Sequence, residues 1–467
     1  MDEDVLRASR ALIGDVADLM LYKQKLAVSE GNILLPAIPG QFASGKYYLG
    51  NVVDNNKPLY PFGLKEQELL RHLLITGATG TGKTNTAFIL LKSFIKNNKP
   101  FLIFDWKRNY RELLSKEEFK DVFVFTIGRD VSEFHFNPLI PPKNINPDIW
   151  LNKLIEIIGH AYFLAEGALS ILQKAIDKAY VYYDVYSIPK EYPTLKDVLG
   201  NLNEIKAHPS SRKFGWLESS KRTIESLCFR NTGRVFLCTE NYIEELLNRN
   251  VILELDSLSH SNKIFFIESL LLWIYFYRLN QPDREQLLHA IMIEESHRLF
   301  RKSNEYKIEE PVLNIILREI RELCESIVLI AQNPSQIPLP ILANTYCTIS
   351  HNLKHSFDVN AIAQSMLLKE REYLGMLKTG HCLIKLQDRY LKPFHCRIPL
   401  FPVKKGTIDD EYVKRKMLRD FPDSRIDRGL IGQNRSISPV SKNDIDKNEY
   451  ALLLNIAEMP YLSVTER

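Results

Sequence analysis

The chain has 467 residues, of which 45% are hydrophobic and 25% are charged, a composition that is typical of globular proteins and excludes a disordered or fibrous chain. Its 61 basic and 57 acidic residues leave a formal net charge of +4, which excludes nucleic-acid binding by bulk charge and leaves only a local surface for it. Six cysteines without a CxxC pair and an acidic N-terminus without a signal peptide predict a reduced, cytoplasmic protein.

Residues 1–70 are predicted to form a short N-terminal helix followed by strands. Apolar residues, among them Leu12, Val16 and Leu19, recur at helical spacing, and extended pieces follow at ILLP and YYLGNVV. The apolar face of this helix has little of its own domain to cover it, so we expect it to dock a partner protein. Packing of the helix on the main domain is an equally weighted alternative.

From His72 the pattern becomes a strand, a glycine loop and a helix. HLLIT is followed by GATGTGKT and NTAFILLKSFIK, and a second strand, FLIFD, begins after Pro100. A strand, helix and strand of this length form a βαβ unit. The pattern therefore predicts an α/β domain.

The glycine loop matches the motif G-x-x-x-x-G-K-[ST] in the context that the motif requires. It consists of Gly77, Ala78, Thr79, Gly80, Thr81, Gly82, Lys83 and Thr84. Its backbone N–H groups and the N-terminus of the following helix would face phosphate. Lys83 would reach the β- and γ-phosphates, and Thr84 would place its hydroxyl on Mg²⁺. We expect ATP and Mg²⁺ to bind here, and residues 71–144 to be the first part of a P-loop ATPase core.

Residues 145–245 carry apolar residues at helical spacing and are predicted to be a helical insertion. The apolar window 264–277 contains Glu268 and is shorter than the roughly 20 residues that a bilayer span needs. We therefore expect a core helix here and no membrane partner.

Strand patterns return after the insertion and define the second part of the core, residues 246–402. They lie at 251–256, 287–295, 326–332 and 346–353. Their continuous apolar runs suit a parallel sheet that is covered on both faces. A hairpin is predicted at 380–400, and residues 403–467 are predicted to be a linker or docking tail with a partial helical segment.

Two carboxylates follow the strand pattern HAIMI, which is a Walker B pattern. Glu294 would hold Mg²⁺, and Glu295 would act as the general base that activates the attacking water. Gln332 ends a further strand, where it could sense the γ-phosphate or the attacking water, although a satisfied loop amide is the alternative. A solvated acidic pair is the alternative for the two glutamates.

Arg318 and Arg321 lie three residues apart on one helix face before that strand. In a ring, such a face could meet the nucleotide of a neighbouring subunit, where an arginine would stabilise the transition state. Salt bridges with Glu319 and Glu322 are the competing explanation. The pairs His381-Cys382 and His395-Cys396 are predicted to be ordinary strand residues, because adjacent residues on a strand point to opposite faces.

Together these motifs resemble the HerA/FtsK branch of P-loop motor ATPases, and the HerA-type DNA translocases most closely. The resemblance covers about 45–400 and rests on RHLLITGATGTGKT, FLIFDWKRNY, MIEESHRLF and LREIRELCESIVLIAQNPSQIP. It implies a RecA-like fold with a parallel-rich sheet, an acid at Asp105, a sensor at Gln332 and a trans arginine at Arg318 or Arg321. Two glycines of the family pattern are replaced, one near Arg108 and one by Ile320.

The resemblance also implies a function. Family members form hexameric rings around double-stranded DNA and act beside a nuclease or another effector in DNA end processing or antiphage defence. We therefore expect a homohexameric DNA translocase or helicase, with Arg301 and Lys302 as candidate pore residues and an effector as a separate chain. A ring scaffold or switch that does not move DNA is the alternative, and a conjugative or packaging ATPase is a weaker one.

Overall fold

A single mixed β-sheet organises the described part of the chain. The structure, a computed structural model, describes residues 33–300 and 312–421, together with Val16, Leu19 and Met20. The sheet has eleven strands in the order β2-β1-β11-β10-β9-β3-β8-β7-β4-β6-β5. In chain order the strands are β1 (Tyr47–Asp54), β2 (Lys57–Leu64), β3 (Leu73–Thr76), β4 (Phe101–Asp105), β5 (Val122–Thr126), β6 (Asn250–Glu254), β7 (His289–Ile293), β8 (Glu325–Ala331), β9 (Cys347–Ser350), β10 (His381–Leu386) and β11 (Phe394–Arg397).

The strands from β9 to β5 in the sheet order are parallel. Strand β3 pairs with β8 and β9, β7 pairs with β8 and β4, and β6 lies between β4 and β5. Every residue of β3, β4 and β8 is buried, because these apolar strands are covered on both faces. The predicted α/β fold with a parallel-rich sheet is confirmed, and the carboxyl ends of these strands meet at one edge.

The remaining four strands extend the sheet in antiparallel fashion. Strands β10 and β11 form the hairpin predicted at 380–400, and β10 pairs with β9. Strand β11 also pairs with β1, where Asn51 lies opposite Arg397, and β1 pairs with β2. The strands of the N-terminal region therefore continue the sheet formed by the later strands of the chain.

Helices flank this sheet on both faces. Those among the described residues are α1 (Gly40–Ala43), α2 (Glu66–Leu69), α3 (Lys83–Lys96), α4 (Pro147–Tyr162), α5 (Glu166–Tyr182), α6 (Leu195–Glu204), α7 (Arg212–Cys228), α8 (Arg230–Phe236), α9 (Ile243–Leu246), α10 (His260–Leu279), α11 (Val312–Glu319), α12 (Leu339–Asn344), α13 (Ser356–Met366), α14 (Tyr373–Met376) and α15 (Asp410–Asp420). Helices α4 to α9 follow one another between β5 and β6, in the range whose apolar spacing predicts an insertion.

Helix α10 is buried along most of its length and contains the apolar window 264–277. Its Glu268 is 1% exposed, and the Oε1 atom of Glu268 lies 2.7 Å from His160 Nδ1. A carboxylate with a polar partner can be accommodated inside a protein, so this window is an interior helix, as predicted. Among the described residues, no helix combines the length and the apolar character needed to cross a membrane.

The linker prediction is wrong for residues 410–420, which form helix α15. Asp409 caps the helix by accepting a hydrogen bond from the Tyr412 backbone N–H. Val413 and Met417 are buried, and the Met417 sulfur accepts a hydrogen bond from the Val124 backbone N–H of the edge strand β5 at 3.4 Å. Two apolar residues one turn apart are too few to give a visible helical period, yet they suffice to cover a sheet edge.

Some predictions fall on residues that the structure does not describe. Val16 and Leu19 lie in a helix and are 45% and 54% exposed, whereas Leu12 is outside the described residues. The candidate pore residues Arg301 and Lys302 and the partial helical segment after residue 421 are also outside them.

Candidate nucleotide-binding site

The P-loop connects β3 to α3 at the carboxyl edge of the parallel strands. Gly82 has φ +128°, a backbone conformation that side chains disfavour, and α3 begins at the next residue. The Thr81 hydroxyl donates a hydrogen bond to the Ala78 carbonyl at 2.8 Å and closes the turn. The loop therefore directs the N-terminus of a 14-residue helix toward the space above it.

Lys83 lies folded against this loop. Its Nζ atom donates to the carbonyls of Gly77 at 2.7 Å and Ala78 at 2.9 Å. The side chain is buried, and burial lowers the pKa of the Lys83 ammonium to about 8 although the nearby carboxylate of Glu295 opposes the shift. Thr84 follows in the first turn of α3 and is half-buried. Both residues are at positions from which they can reach an anion above the loop.

Glu294 and Glu295 follow β7 directly, two strands away from the P-loop strand. They are 5% and 3% exposed. Glu295 has φ +51°, a left-handed conformation that costs a non-glycine residue roughly 1–3 kcal/mol and that is often found at functional sites. This backbone turn ends the strand and places the two acids beside the P-loop.

Gln332 connects the Walker B acid to the P-loop. Its Nε2 atom donates to Glu295 Oε1 at 2.7 Å, and its Oε1 atom accepts from the Thr79 hydroxyl at 3.4 Å. The same Glu295 oxygen forms an ion pair with Lys107 Nζ. His297 Nε2 lies 3.5 Å from the other oxygen, Oε2. The structure thus brings the P-loop, Glu295 and Gln332 together as one cluster.

Glu294 belongs to a second, more buried group of polar side chains. Its Oε1 atom accepts a hydrogen bond from Asn109 Nδ2 at 3.0 Å, whereas its Oε2 atom is buried without a hydrogen-bond partner. Burial raises the pKa of Glu294. Burial, together with the charge of Glu294, also raises the pKa of Asp105. An orphaned carboxylate oxygen beside a second acid fits a divalent cation, which favours oxygen ligands.

Lys107 and Asn109 are site residues that motif reasoning did not identify. Both follow β4, which pairs with β7, so the two acids and these donors meet at adjacent strand ends. Both residues lie in the segment FLIFDWKRNY, which resembles the family at Asp105, and this resemblance was the signal that could have identified them. Arg108, near the position of a family glycine, has φ +60°, so the chain retains the left-handed turn without the glycine.

Arg318 and Arg321 lie at the opposite edge of the sheet. They precede β8, whereas Gln332 follows it, and the Leu317 carbonyl lies 2.9 Å from Nε2 of His72 at the start of β3. Their side chains are 47% and 45% exposed. The guanidinium nitrogens lie 4.0 Å and 3.8 Å from the neighbouring carboxylates of the chain. The structure does not bring either arginine to the P-loop of the same chain.

The histidines and cysteines of the hairpin pair with each other across β10 and β11. His381 Nδ1 lies 2.8 Å from His395 Nε2, and Cys382 is directly opposite Cys396. In the described ranges, no group of three or more potential metal ligands is present.

Comparisons with known proteins agree with this geometry. Residues 47–272 match the model of a family described as "Helicase HerA, central domain". The chain is similar to the solved structure of VirB4 of Thermoanaerobacter pseudethanolicus, with a TM-score of 0.59, 17% identity, and coverage of 76% of this chain and 96% of that one. It is also similar to the bacterial conjugative coupling protein TrwB in an unbound form, with a TM-score of 0.56, 12% identity and coverage of 77% and 90%.

A structure of TrwB in complex with ADP and Mg²⁺ has a TM-score of 0.55 to this chain at 13% identity, and the alignment covers 77% of this chain and 91% of that one. No curated protein sequence matches this chain. At these identities the solved structures establish the fold alone, and they confirm the RecA-like P-loop architecture.

Proposed function

Because this chain belongs to the HerA/FtsK superfamily of P-loop ATPases, with a HerA central domain at residues 47–272, we propose that it hydrolyses ATP to move along double-stranded DNA as a hexameric ring. The observation that supports hydrolysis most directly is Gln332, which contacts Glu295 and the P-loop residue Thr79 at once. A residue with these two contacts can report the presence of a γ-phosphate to the general base.

Each residue of the site has a separate role in the proposed reaction. Phosphate binding draws Lys83 Nζ from the Gly77 and Ala78 carbonyls to the β- and γ-phosphates. Mg²⁺ held by Thr84 and, through water, by Glu294 would neutralise charge on the phosphate oxygens. Glu295 takes the proton of the attacking water, while Gln332 and Lys107 fix the orientation of its carboxylate.

Two variants test the ATPase proposal. Lys83→Ala is expected to lose ATP binding, and Glu295→Gln is expected to bind ATP while releasing phosphate at least about 100-fold more slowly, because an amide cannot accept the proton. Glu117→Gln is a control, since this glutamate side chain is 85% exposed and lies outside the site. Unchanged phosphate release in both site variants would contradict the proposal.

A cleft beside the Walker B turn supports a nucleic-acid partner. It is lined by Phe163, His260, His297, Arg298, Phe300, Asn333, Ser335, Gln336, His355 and Phe357. This described lining contains one arginine and three histidines but no carboxylate, so it offers nitrogen donors to phosphate. Phe163 and Phe357 are 62% and 69% exposed. The cleft therefore offers the local surface that the small net charge of the chain requires.

DNA stimulation of the ATPase tests this part of the proposal. Duplex DNA is expected to raise the rate of phosphate release, and the effect is expected to weaken steeply with salt, because phosphate contacts release counterions. Stimulation by single strands alone would favour a conjugative type of ATPase. Stimulation by neither would favour a ring scaffold or switch that assembles an effector.

The effector is proposed to be a separate chain, such as a nuclease, that docks on the N-terminal helix. The exposed apolar side chains of Val16 and Leu19 offer a surface for it. Deletion of residues 1–30 is expected to abolish a complex with the products of neighbouring genes and to spare ATPase activity. An isolated ring that cuts DNA by itself would contradict the separation of motor and effector.

A further inference from the structure

His351 lies directly against the P-loop and has no part in the chemistry described above. It follows β9, which pairs in parallel with β3, and its side chain is 0% exposed. The His351 backbone N–H donates to the Thr76 carbonyl at 2.8 Å, and the next carbonyl, of Asn352, accepts from the Ala78 N–H at 2.7 Å. The chain after β9 thus follows the P-loop beyond the end of the sheet.

The two ends of the P-loop are shaped to the His351 side chain. A Cβ atom on Gly77 would lie 2.6 Å from the His351 Cβ, closer than real Cβ contacts come. A Cβ on Gly82 would lie 3.0 Å from His351 Cε1. The loop therefore curves around this side chain, and both glycines are needed for the close approach.

The hydrogen bonds of His351 fix its tautomer. Nδ1 lies 2.9 Å from the His381 carbonyl, which can only accept, so Nδ1 carries the proton. Nε2 is then an acceptor for the Thr86 hydroxyl, which lies 2.8 Å from it and 3.1 Å from the Gly82 carbonyl. Thr86 lies in the first turn of α3, the turn that presents its N–H groups to phosphate.

The ring stays neutral under ordinary conditions. Burial lowers the pKa of His351 to about 4, although the hydrogen bond to the His381 carbonyl opposes the shift, and the positive charge of Lys83 lowers the pKa further. A neutral ring leaves the Nε2 acceptor available to Thr86 throughout the physiological pH range, and it adds no positive charge that would compete with Lys83 for the phosphates.

We propose that His351 is a positioning residue that sets the affinity of the P-loop for nucleotide phosphates, by holding both loop ends and the first turn of α3 in the binding conformation. This inference rests on the proposed ATP binding and adds a residue that sets its strength. Loosening of the loop raises the cost of ordering it on binding. Glu295 and Gln332 stand on other strands, so turnover at saturating ATP should change much less than affinity.

Two substitutions test the roles of the two ring nitrogens separately. His351→Asn places an amide near the position of Nδ1 and loses the acceptor for Thr86, whereas His351→Gln reaches the position of Nε2 and can retain that acceptor. His351→Asn is expected to weaken nucleotide binding about tenfold or more, and His351→Gln to remain within about threefold of the wild type. Thr86→Val should reproduce the effect of His351→Asn, and the double variant should lose little more.

His72→Gln is the matched control. His72 is also buried, it also has its pKa lowered to about 4 by burial, and it contacts backbone groups of Leu317 and Ile327 at the amino end of β3. Its substitution should lower the melting temperature without changing nucleotide affinity. Dissociation constants for a fluorescent ATP analogue and the KM and kcat for ATP are measured below the melting temperature of every variant.

The outcomes are distinct. A wild-type chain that binds nucleotide, with His351→Asn and Thr86→Val binding equally well, would overturn the role of His351 and leave the proposed function standing. Equal losses of affinity in His351→Asn and His72→Gln would show that both act through the general stability of the fold. This result would also overturn the positioning role of His351. A wild-type chain that binds no nucleotide would overturn both. Affinity lost in His351→Asn and Thr86→Val but retained in His351→Gln would support the proposal.

Discussion

Among single residues, Lys83 makes nucleotide affinity depend on pH. Its ammonium has a pKa of about 8 in the free protein, whereas an ammonium in contact with phosphate keeps its proton to higher pH. Above pH 8 the free protein must therefore take up a proton in order to bind ATP. We expect the dissociation constant to be constant below about pH 8 and to rise by up to tenfold per pH unit above it.

Nucleotide titrations between about pH 7.5 and pH 9.5 measure this effect. Lys83→Arg should give a flatter profile where it binds, because a guanidinium remains charged throughout this range. An affinity of the wild-type chain that does not change up to about pH 9.5 would show that Lys83 keeps its ordinary pKa.

Gln332 should matter for turnover more than for binding. Gln332→Ala removes the hydrogen bond to Glu295 Oε1 and the longer one, at 3.4 Å, from the Thr79 hydroxyl. It leaves Lys83 and the backbone of the P-loop in place, so we expect kcat to fall roughly 10- to 100-fold with little change in nucleotide affinity. Steady-state phosphate release and nucleotide titration test the two expectations separately. Gln173→Ala is the control, because it removes a solvent-exposed hydrogen bond to Asn152 from α5, outside the site. A wild-type kcat for Gln332→Ala would show that Gln332 is an ordinary loop amide.

The sequence was informative wherever the chemistry lies in one short segment. Lys83, Glu294 and Glu295 stand in motifs whose residue order alone predicts the roles proposed for them. Lys107 and His351 could not be identified in this way, because their roles depend on which strands become neighbours. Lys107 meets Glu295 only because β4 pairs with β7, and His351 meets the P-loop only because β9 pairs with β3.

Among the elements, helix α15 is fastened to the sheet by charge. Asp410, at its first turn, forms ion pairs with Arg111 at 2.7 Å and Arg129 at 2.9 Å. Both arginines also bind the buried Glu254. Asp410→Ala is expected to destabilise the fold by about 1–2 kcal/mol, because it removes these ion pairs. The loss is no larger because Asp410 is 43% exposed and Glu254 continues to neutralise the arginines.

Urea unfolding of Asp410→Ala beside Glu411→Ala tests this expectation, since Glu411 is exposed on the same helix. Burial would raise the pKa of Asp410, but hydrogen bonds from Arg111 and Arg129 lower it overall. A depressed folded pKa adds stability above the unfolded pKa of about 3.9, and this stability is lost as the pH falls through the folded pKa. The difference between the two variants should therefore shrink below about pH 4. Equal stability of both variants at neutral pH would contradict the role of Asp410.

Helices and strands could be predicted from the sequence where they contain a clear apolar pattern. Strands such as β4 and β8 have a continuous apolar run with polar residues only at one end, and the glycine loop and helix between β3 and β4 form a clear motif. Helix α15 was missed because its contact with β5 depends on Val413, Met417 and ion pairs to residues that lie about 300 positions earlier in the chain. A local pattern contains no information on such partners.

In the whole molecule, Arg318 and Arg321 are at the wrong edge of the sheet to act on the nucleotide of their own chain. A head-to-tail ring would bring that edge to the P-loop edge of a neighbour. Lys83→Ala keeps the arginines and loses the nucleotide site, whereas Arg318→Ala or Arg321→Ala has the reverse defect. We expect mixtures of Lys83→Ala with the relevant arginine variant to regain ATPase activity that neither protein has alone.

Mixing is done under conditions in which subunits exchange, and phosphate release is compared with that of each unmixed variant. The arginine whose variant is inactive alone and complemented in the mixture is the one that acts in trans. Wild-type activity in both single arginine variants would instead assign both residues to surface ion pairs, such as those with Glu319 and Glu322.

The pairing of β1 with β11 affects how the protein folds during its synthesis. Asn51 pairs with Arg397, so during synthesis the hairpin β1-β2 leaves the ribosome on the order of 20–70 s before its partner strand, at ordinary elongation rates. Throughout that interval the nascent chain exposes an unpaired β1 edge, while the strands of the parallel part of the sheet are synthesised after it. The sheet is therefore completed by pairing one of the first strands to be synthesised with the last. Because this pairing joins distant parts of the chain, we expect a slow final folding step and a need for chaperones.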